Sequence, residues 1–182
     1  MTSGAAQPAF RAIFESEYGY IRNSVVRLGI RSADVADVVH DVFLVVHEKL
    51  PEFDATRPLR PWLFGITFRV AIGVKRRLAY RMERVVSGEG DEQVFSARAS
   101  SWPSPEQVAS TEECRTLLAR AMEALDDPKR AVFVLHDLDG VAIPEVAEAL
   151  EIPLNTAYSR LRLAREALRT ELTSHGFAPG AA

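Results

Sequence analysis

The chain has 182 residues, 47% of them hydrophobic, and carries a net charge of −3. That length allows one domain or two small ones. An acidic total does not suit a free-standing nucleic-acid binder, so any basic surface must be local. The single cysteine, Cys114, excludes an internal disulfide and a cysteine-rich zinc site, and it fits a reducing compartment. No apolar run reaches membrane-spanning length, and residues 1–9 lack a basic-then-apolar signal.

After a small, polar start, Pro8 to about Leu28 reads as a helix. Phe10, Phe14, Ile21, Val25 and Leu28 form its buried stripe, with Ile13 alongside. Gly29–Ser32 breaks it, and Ser32 or Asp34 caps the next helix. That helix, Asp34–Leu50, puts Val35, Val38, Val39, Val42, Val45 and Val46 on one arc. Asp34, Asp37, Asp41 and Glu48 cluster on the other side, with His40, Leu44 and His47 beside them. A solvated acidic face is one explanation; a docking face for a basic partner is the other, and an exposed Leu44 favours docking.

Pro51–Pro61 is a proline-punctuated loop. Its Phe53, Arg57 and Arg60 suit clamping an unstacked base, or equally loop packing. A helix from Trp62 to about Arg84 follows. Its second half is basic, with Arg69, Lys75, Arg76, Arg77, Arg81 and Arg84 against Glu83; such a run usually just solvates a helix end, but beside a groove-reading module phosphate binding is the better reading. Gly73 weakens this helix by about 1 kcal/mol against alanine.

From Val85 to about Ser110 apolar periodicity disappears, and the stretch reads as a flexible linker with Val94, Phe95 and Trp102 as short anchors. The domains are therefore 8–84, a linker 85–110, and 111–173. The second domain opens with a helix near Thr111–Leu125, using Leu117, Leu118, Met122 and Leu125 inward. Asp126-Asp127-Pro128 starts another, with Val132, Phe133 and Leu135 inward. Asp139-Gly140 then turns into two helices, Pro144–Leu150 and Asn155–Leu172, separated by Glu151-Ile152-Pro153, with Asn155 or Leu154 near the second cap.

In the last helix Ala157, Leu161, Ala164 and Leu168 face the protein. At about 100° per residue the opposite side presents Asn155, Ser159 and Arg162, flanked by Thr156, Tyr158, Leu163, Arg165 and Arg169. Hydroxyl, amide and guanidinium groups on such a face suit base edges and phosphates. The pair is a helix-turn-helix with Asn155–Arg169 as recognition helix; a surface hairpin with a solvated basic face is the plainer alternative. Glu151 occupies the turn position where glycine usually supplies positive φ. No strand candidate survives, so the fold is all-α: two small helical domains on a flexible linker.

Two His-Asp pairs, His40-Asp41 and His136-Asp137, raise a metal phosphohydrolase as an alternative, but they fall in different domains and complete no ligand spacing. A stand-alone helix-turn-helix regulator is another, although no dimerising heptads are present to align two half-sites.

Three segments together carry a family resemblance: ADVADVVHDVFLVVHEKL (33–50), RPLRPWLFGITFRVAIGVKRR (57–77) and EVAEALEIPLNTAYSRLRLAREAL (145–168). In this order and separation they resemble the docking helix, melting helix and helix-turn-helix of extracytoplasmic-function (ECF) sigma factors of bacterial RNA polymerase. The resemblance implies an initiation factor with no catalytic residue, metal or cofactor, working in the cytoplasm. Its partners would be core RNA polymerase, through the β′ clamp helices and β flap, promoter DNA, and an anti-sigma factor. Carried over, Asp37, His40, Asp41, Leu44 and His47 would dock polymerase. Phe53, Arg57, Arg60, Arg69, Lys75, Arg76 and Arg77 would serve the minus-ten element. Asn155, Thr156, Tyr158, Ser159, Arg160, Arg162, Leu163 and Arg165 would serve the minus-thirty-five element. The chain departs from the family pattern at His40, Arg69, Gly73, Tyr158 and Leu163, where glutamine, asparagine, aspartate, a basic residue and arginine are usual.

Overall fold

A computed structural model describes residues 9–86 and 111–177 of the chain. Among these residues every regular element is helical, as expected. The anchors Val94, Phe95 and Trp102, and most of the expected linker, lie outside the described residues.

Helix α1 (Phe10–Arg27) packs against α2 (Val35–Lys49), and both pack against α3 (Leu59–Val86). The core of this bundle is built from Ile13, Ile21, Val25, Val38, Val42, Val46, Leu63, Phe64 and Ile66, each at most 2% exposed. Phe14 departs from the expected stripe: it is 41% exposed, while Ile13 takes the inward position. Phe14 instead lies over Phe43, with ring centroids 4.6 Å apart. The one-residue shift turns the stripe by about 100°. Two hydroxyls in the core are satisfied within their own helices. Ser24 Oγ donates to Tyr20 O at 2.9 Å, and Thr67 Oγ1 to Leu63 O at 2.8 Å.

Asp34 takes the cap position of α2, as expected, but makes no side-chain cap bond. Ser32–Asp34 is a 3-10 turn without a side-chain cap bond, and Asp34 pairs with Arg31. Helix α3 starts at Leu59, three residues before the expected Trp62, because Pro61 sits in its opening turn, where a missing N–H costs nothing.

The second helical region begins with α4 (Thr111–Ala121), continued by a 3-10 turn over Met122–Ala124. Asp126 caps α5 (Asp127–Phe133), its carboxylate accepting from Lys129 N at 2.9 Å. A π-helical turn, Val134–Leu138, extends α5, and then α6 (Ile143–Ala149) and α7 (Leu154–Ser174) follow. The cap position of α7 is Pro153, without a side-chain bond, and Leu154 follows it as the first helical residue, near the cap as expected.

Gly140 has φ +74° and an added Cβ there would meet no atom within 4 Å. Gly140→Ala therefore tests backbone conformation alone. A left-handed alanine costs about 1–2 kcal/mol, offset in part by lower unfolded-chain entropy, so a net loss of about 1 kcal/mol is expected. Gly73, inside α3, also has open space but carries no positive φ. Gly73→Ala should do the opposite and add about 1 kcal/mol. Paired urea titrations of the two variants check both signs.

Candidate nucleic-acid and partner surfaces

The break between α6 and α7 is closed by Ile152 N donating to Ala147 O at 2.9 Å and Glu151 N to Glu148 O at 3.1 Å. This is the bonding of a left-handed helix stop. Glu151 adopts it with φ +55°, so the turn forms without the usual glycine. Ala147, Ala157, Leu161, Ala164 and Leu168 are all buried, which fixes the rotation of α7 against the module.

That rotation leaves Asn155, Tyr158, Ser159, Arg162, Leu163 and Arg165 exposed, with Thr156 and Arg160 half-buried. The outward face is therefore the one expected from the sequence. Arg162 pairs with Glu166 one turn on, at 3.2 Å. The Arg165 fork grips Asp137, with Nε donating at 2.9 Å, and the bonded carboxylate raises the Arg165 pKa. The guanidinium sides of both pairs are at least half exposed, and such pairs are worth only about 0–1 kcal/mol, so exchange for a phosphate is inexpensive.

On α2, Asp37, His40, Leu44 and His47 are exposed and Asp41 is half-buried. Spacings of three and four residues put them on one face. Leu44 is 56% exposed amid this polar group. The His47 ring meets Phe10 edge-on at 4.9 Å.

The base clamp expected from the 51–61 loop is not assembled. Phe53 is 8% exposed and packs on Trp62 with centroids 4.6 Å apart, so loop packing is the reading that holds for it. Arg60 donates to Glu17 at 2.9 Å and lies 5.1 Å from the centre of the Tyr20 ring. Arg57 pairs with Glu148 at 2.6 Å. On α3, Arg69 is exposed and reaches Glu151 at 2.9 Å, and Lys75 is bonded to Leu28 O and Asp127. Arg76 and Arg77 are exposed.

Several polar residues in this region give no signal in the sequence. Tyr20 and Arg27 both donate to Asp139, at 2.9 and 2.8 Å, across more than a hundred residues of chain. Burial, then the Asp139 charge, pushes the Tyr20 hydroxyl above its ordinary pKa. His136 Nδ1 and Val141 O are 2.7 Å apart within its own turn. Among the described residues, no group of three His, Cys, Asp or Glu side chains is placed to hold a metal. No helix among them is long and apolar enough to cross a membrane.

This geometry defines an all-α protein whose second helical region presents a helix-turn-helix. Residues 13–81 match the sigma-70 region 2 family and residues 115–168 match sigma-70 region 4. The RNA polymerase sigma factor CnrH of Cupriavidus metallidurans is 33% identical over 146 residues, spanning 77% of this chain and 74% of the relative. The ECF RNA polymerase sigma-E factor of Escherichia coli is 31% identical over 150 residues, spanning 80% and 77%. The solved structure of CnrH with the cytosolic domain of CnrY aligns with a TM-score of 0.61 at 26% identity, over 93% of this chain and 91% of that one. A Bartonella quintana sigma factor, RpoE, in complex with the anti-sigma factor NepR shares the fold at a TM-score of 0.65 and 20% identity, over 90% and 96% of the two chains. The chain belongs to the sigma-70 family, in its ECF group. It is an alternative sigma factor that acts with core RNA polymerase to direct promoter-specific transcription initiation.

Proposed function

We propose a division of that activity between two modules. Residues 8–84 dock core polymerase and open the minus-ten element, residues 85–110 tether, and residues 111–173 read the minus-thirty-five element and touch the β flap. The observation that carries the reading is the pair of separate exposed faces. One is acidic with Leu44 at its centre, on α2; the other is amide, hydroxyl and guanidinium, on α7.

In this reading Asp37, His40, Asp41, Leu44 and His47 meet the β′ clamp helices. Arg57, Arg60, Arg69, Lys75, Arg76 and Arg77 take up phosphates around the minus-ten element. Asn155, Tyr158, Ser159, Arg162 and Leu163 meet base edges, with Thr156, Arg160 and Arg165 nearer the backbone. The acidic total charge keeps free binding weak, and tethering both modules on polymerase raises their effective concentration at correctly spaced sites. The chain needs no catalytic residue, metal or cofactor of its own for this task, and its place of work is the cytoplasm. CnrH with CnrY and RpoE with NepR suggest an anti-sigma factor as a further partner.

The experiment is capture of core polymerase by the purified chain, followed by footprinting. Core binding with protection only in the joint complex supports the reading. Failure to bind core enzyme, together with a palindromic footprint by the chain alone, would instead support a stand-alone regulator.

A further inference from the structure

The outward face of α7 has two unlike flanks. At about 100° per residue, the exposed Arg162, Arg165 and Arg169 stand together on one side. Thr156, Ser159 and Leu163, spaced by three and four residues, form a second stripe about 120° round the helix. The first flank is guanidinium throughout. The second carries two hydroxyls and an aliphatic side chain, and no charge.

Leu163 sets the character of that second flank. It is 38% exposed, while Leu161 and Ala164 on either side of it are buried, so the packing of α7 turns it outward. A lone exposed leucine on an ordinary surface helix needs no explanation. Leu163 instead stands on the face assigned above to base edges, and the nearby cations are directed elsewhere. Arg162 pairs with Glu166 at 3.2 Å. Arg165, on the far flank, is gripped by Asp137. Arg160, one turn before Leu163, is half-buried, and its charge acts on Asp126 at the cap of α5.

The chemistry of the side chain separates the bases. In a major groove guanine presents two acceptors, cytosine a donor, and adenine one of each. A leucine pressed against any of these removes water and returns no hydrogen bond, which is costly. Thymine presents a C5 methyl group, which an aliphatic side chain fits. The Ser159 hydroxyl, one turn before Leu163, can donate or accept and leaves the choice to its neighbour.

We propose that Leu163 is a specificity-determining residue that selects a thymine in the upstream promoter element by contact with its C5 methyl group. The inference rests on the assignment of α7 to the minus-thirty-five element and names what one flank of it reads. Promoter choice is then divided across the helix. Guanidinium groups take phosphates and acceptor-bearing base edges on one side, and an apolar contact picks out thymine on the other.

The test uses core polymerase loaded with the full chain and a promoter library randomised across the upstream element. Selected promoters should hold thymine at one fixed base pair. Leu163→Arg should abolish that preference and favour guanine, whose O6 and N7 a guanidinium can grip. Replacing the selected thymine with deoxyuridine removes the methyl group alone and leaves the protein untouched, so stability cannot enter. Promoter binding should fall about fourfold, the loss expected for one buried methyl group. With Leu163→Ala in the complex, the same exchange should have no effect.

A selected element without a fixed thymine, or a thymine indifferent to deoxyuridine, overturns the proposal. So does a methyl dependence that persists in Leu163→Ala, or a thymine preference unchanged in Leu163→Arg. Failure of the underlying assignment looks different: no upstream sequence is selected at all, or the selected one is unaltered by Arg162→Ala and Leu163→Arg alike. In that case both fall together, whereas an element that depends on Arg162 but ignores the methyl group removes this proposal alone.

Discussion

Reversing the charge at Asp41 is expected to weaken binding to core RNA polymerase about a hundredfold. Asp41 is half-buried on the face that also carries Asp37, His40 and Leu44. Against a basic partner, an arginine there removes an attraction and introduces a repulsion. Like-charge juxtaposition costs several kcal/mol, and each 1.4 kcal/mol is tenfold in affinity. The fold should survive, because the buried side of α2 is Val35, Val38, Val39, Val42 and Val46. Titration of labelled Asp41→Arg with core enzyme, beside a thermal melt, separates docking from stability. Unaltered affinity would reject α2 as the docking helix. The affinity of the unsubstituted chain should also fall with salt more steeply than that of the variant, since exposed charges are screened.

The second large effect is expected at Arg162. Removing a guanidinium that reads a base edge costs about 1–3 kcal/mol, or roughly 5–150-fold. Arg162→Ala should lower promoter-specific transcription by that range and leave core binding intact. Its ion pair with Glu166 is 71% and 62% exposed, so little stability is lost with it. Transcription from a set of cognate promoters, measured with core binding held saturated, reads the effect. Equal output from every promoter would remove Arg162 from the recognition surface.

Much of this architecture is legible in the sequence because it is local. The valine arc of α2 repeats at helical spacing, and all but the half-buried Val45 are buried. The outward face of α7 follows from Ala157, Leu161, Ala164 and Leu168 on the inside. Local rules fail where tertiary contacts decide. Phe14 has the spacing of a core residue but is displaced by Ile13. Phe53 looks like a base-stacking residue but is drawn under Trp62. The turn at Glu151 accepts φ +55° where the sequence argues for glycine. The bridges of Tyr20 and Arg27 to Asp139, and the burial of Arg130 beside Gly29, join residues that no spacing relates. The interface between the helical regions was therefore unreadable, although the charged residues that make it were visible one by one.

The most direct measurement is sequencing of transcripts made in vitro from genomic DNA by core polymerase with and without this protein. A two-module initiation factor predicts new transcript starts that share a pair of upstream motifs at fixed spacing, lost on Asp41→Arg and sharply reduced on Arg162→Ala. Transcript starts identical with and without the protein, despite a folded chain, would contradict the account.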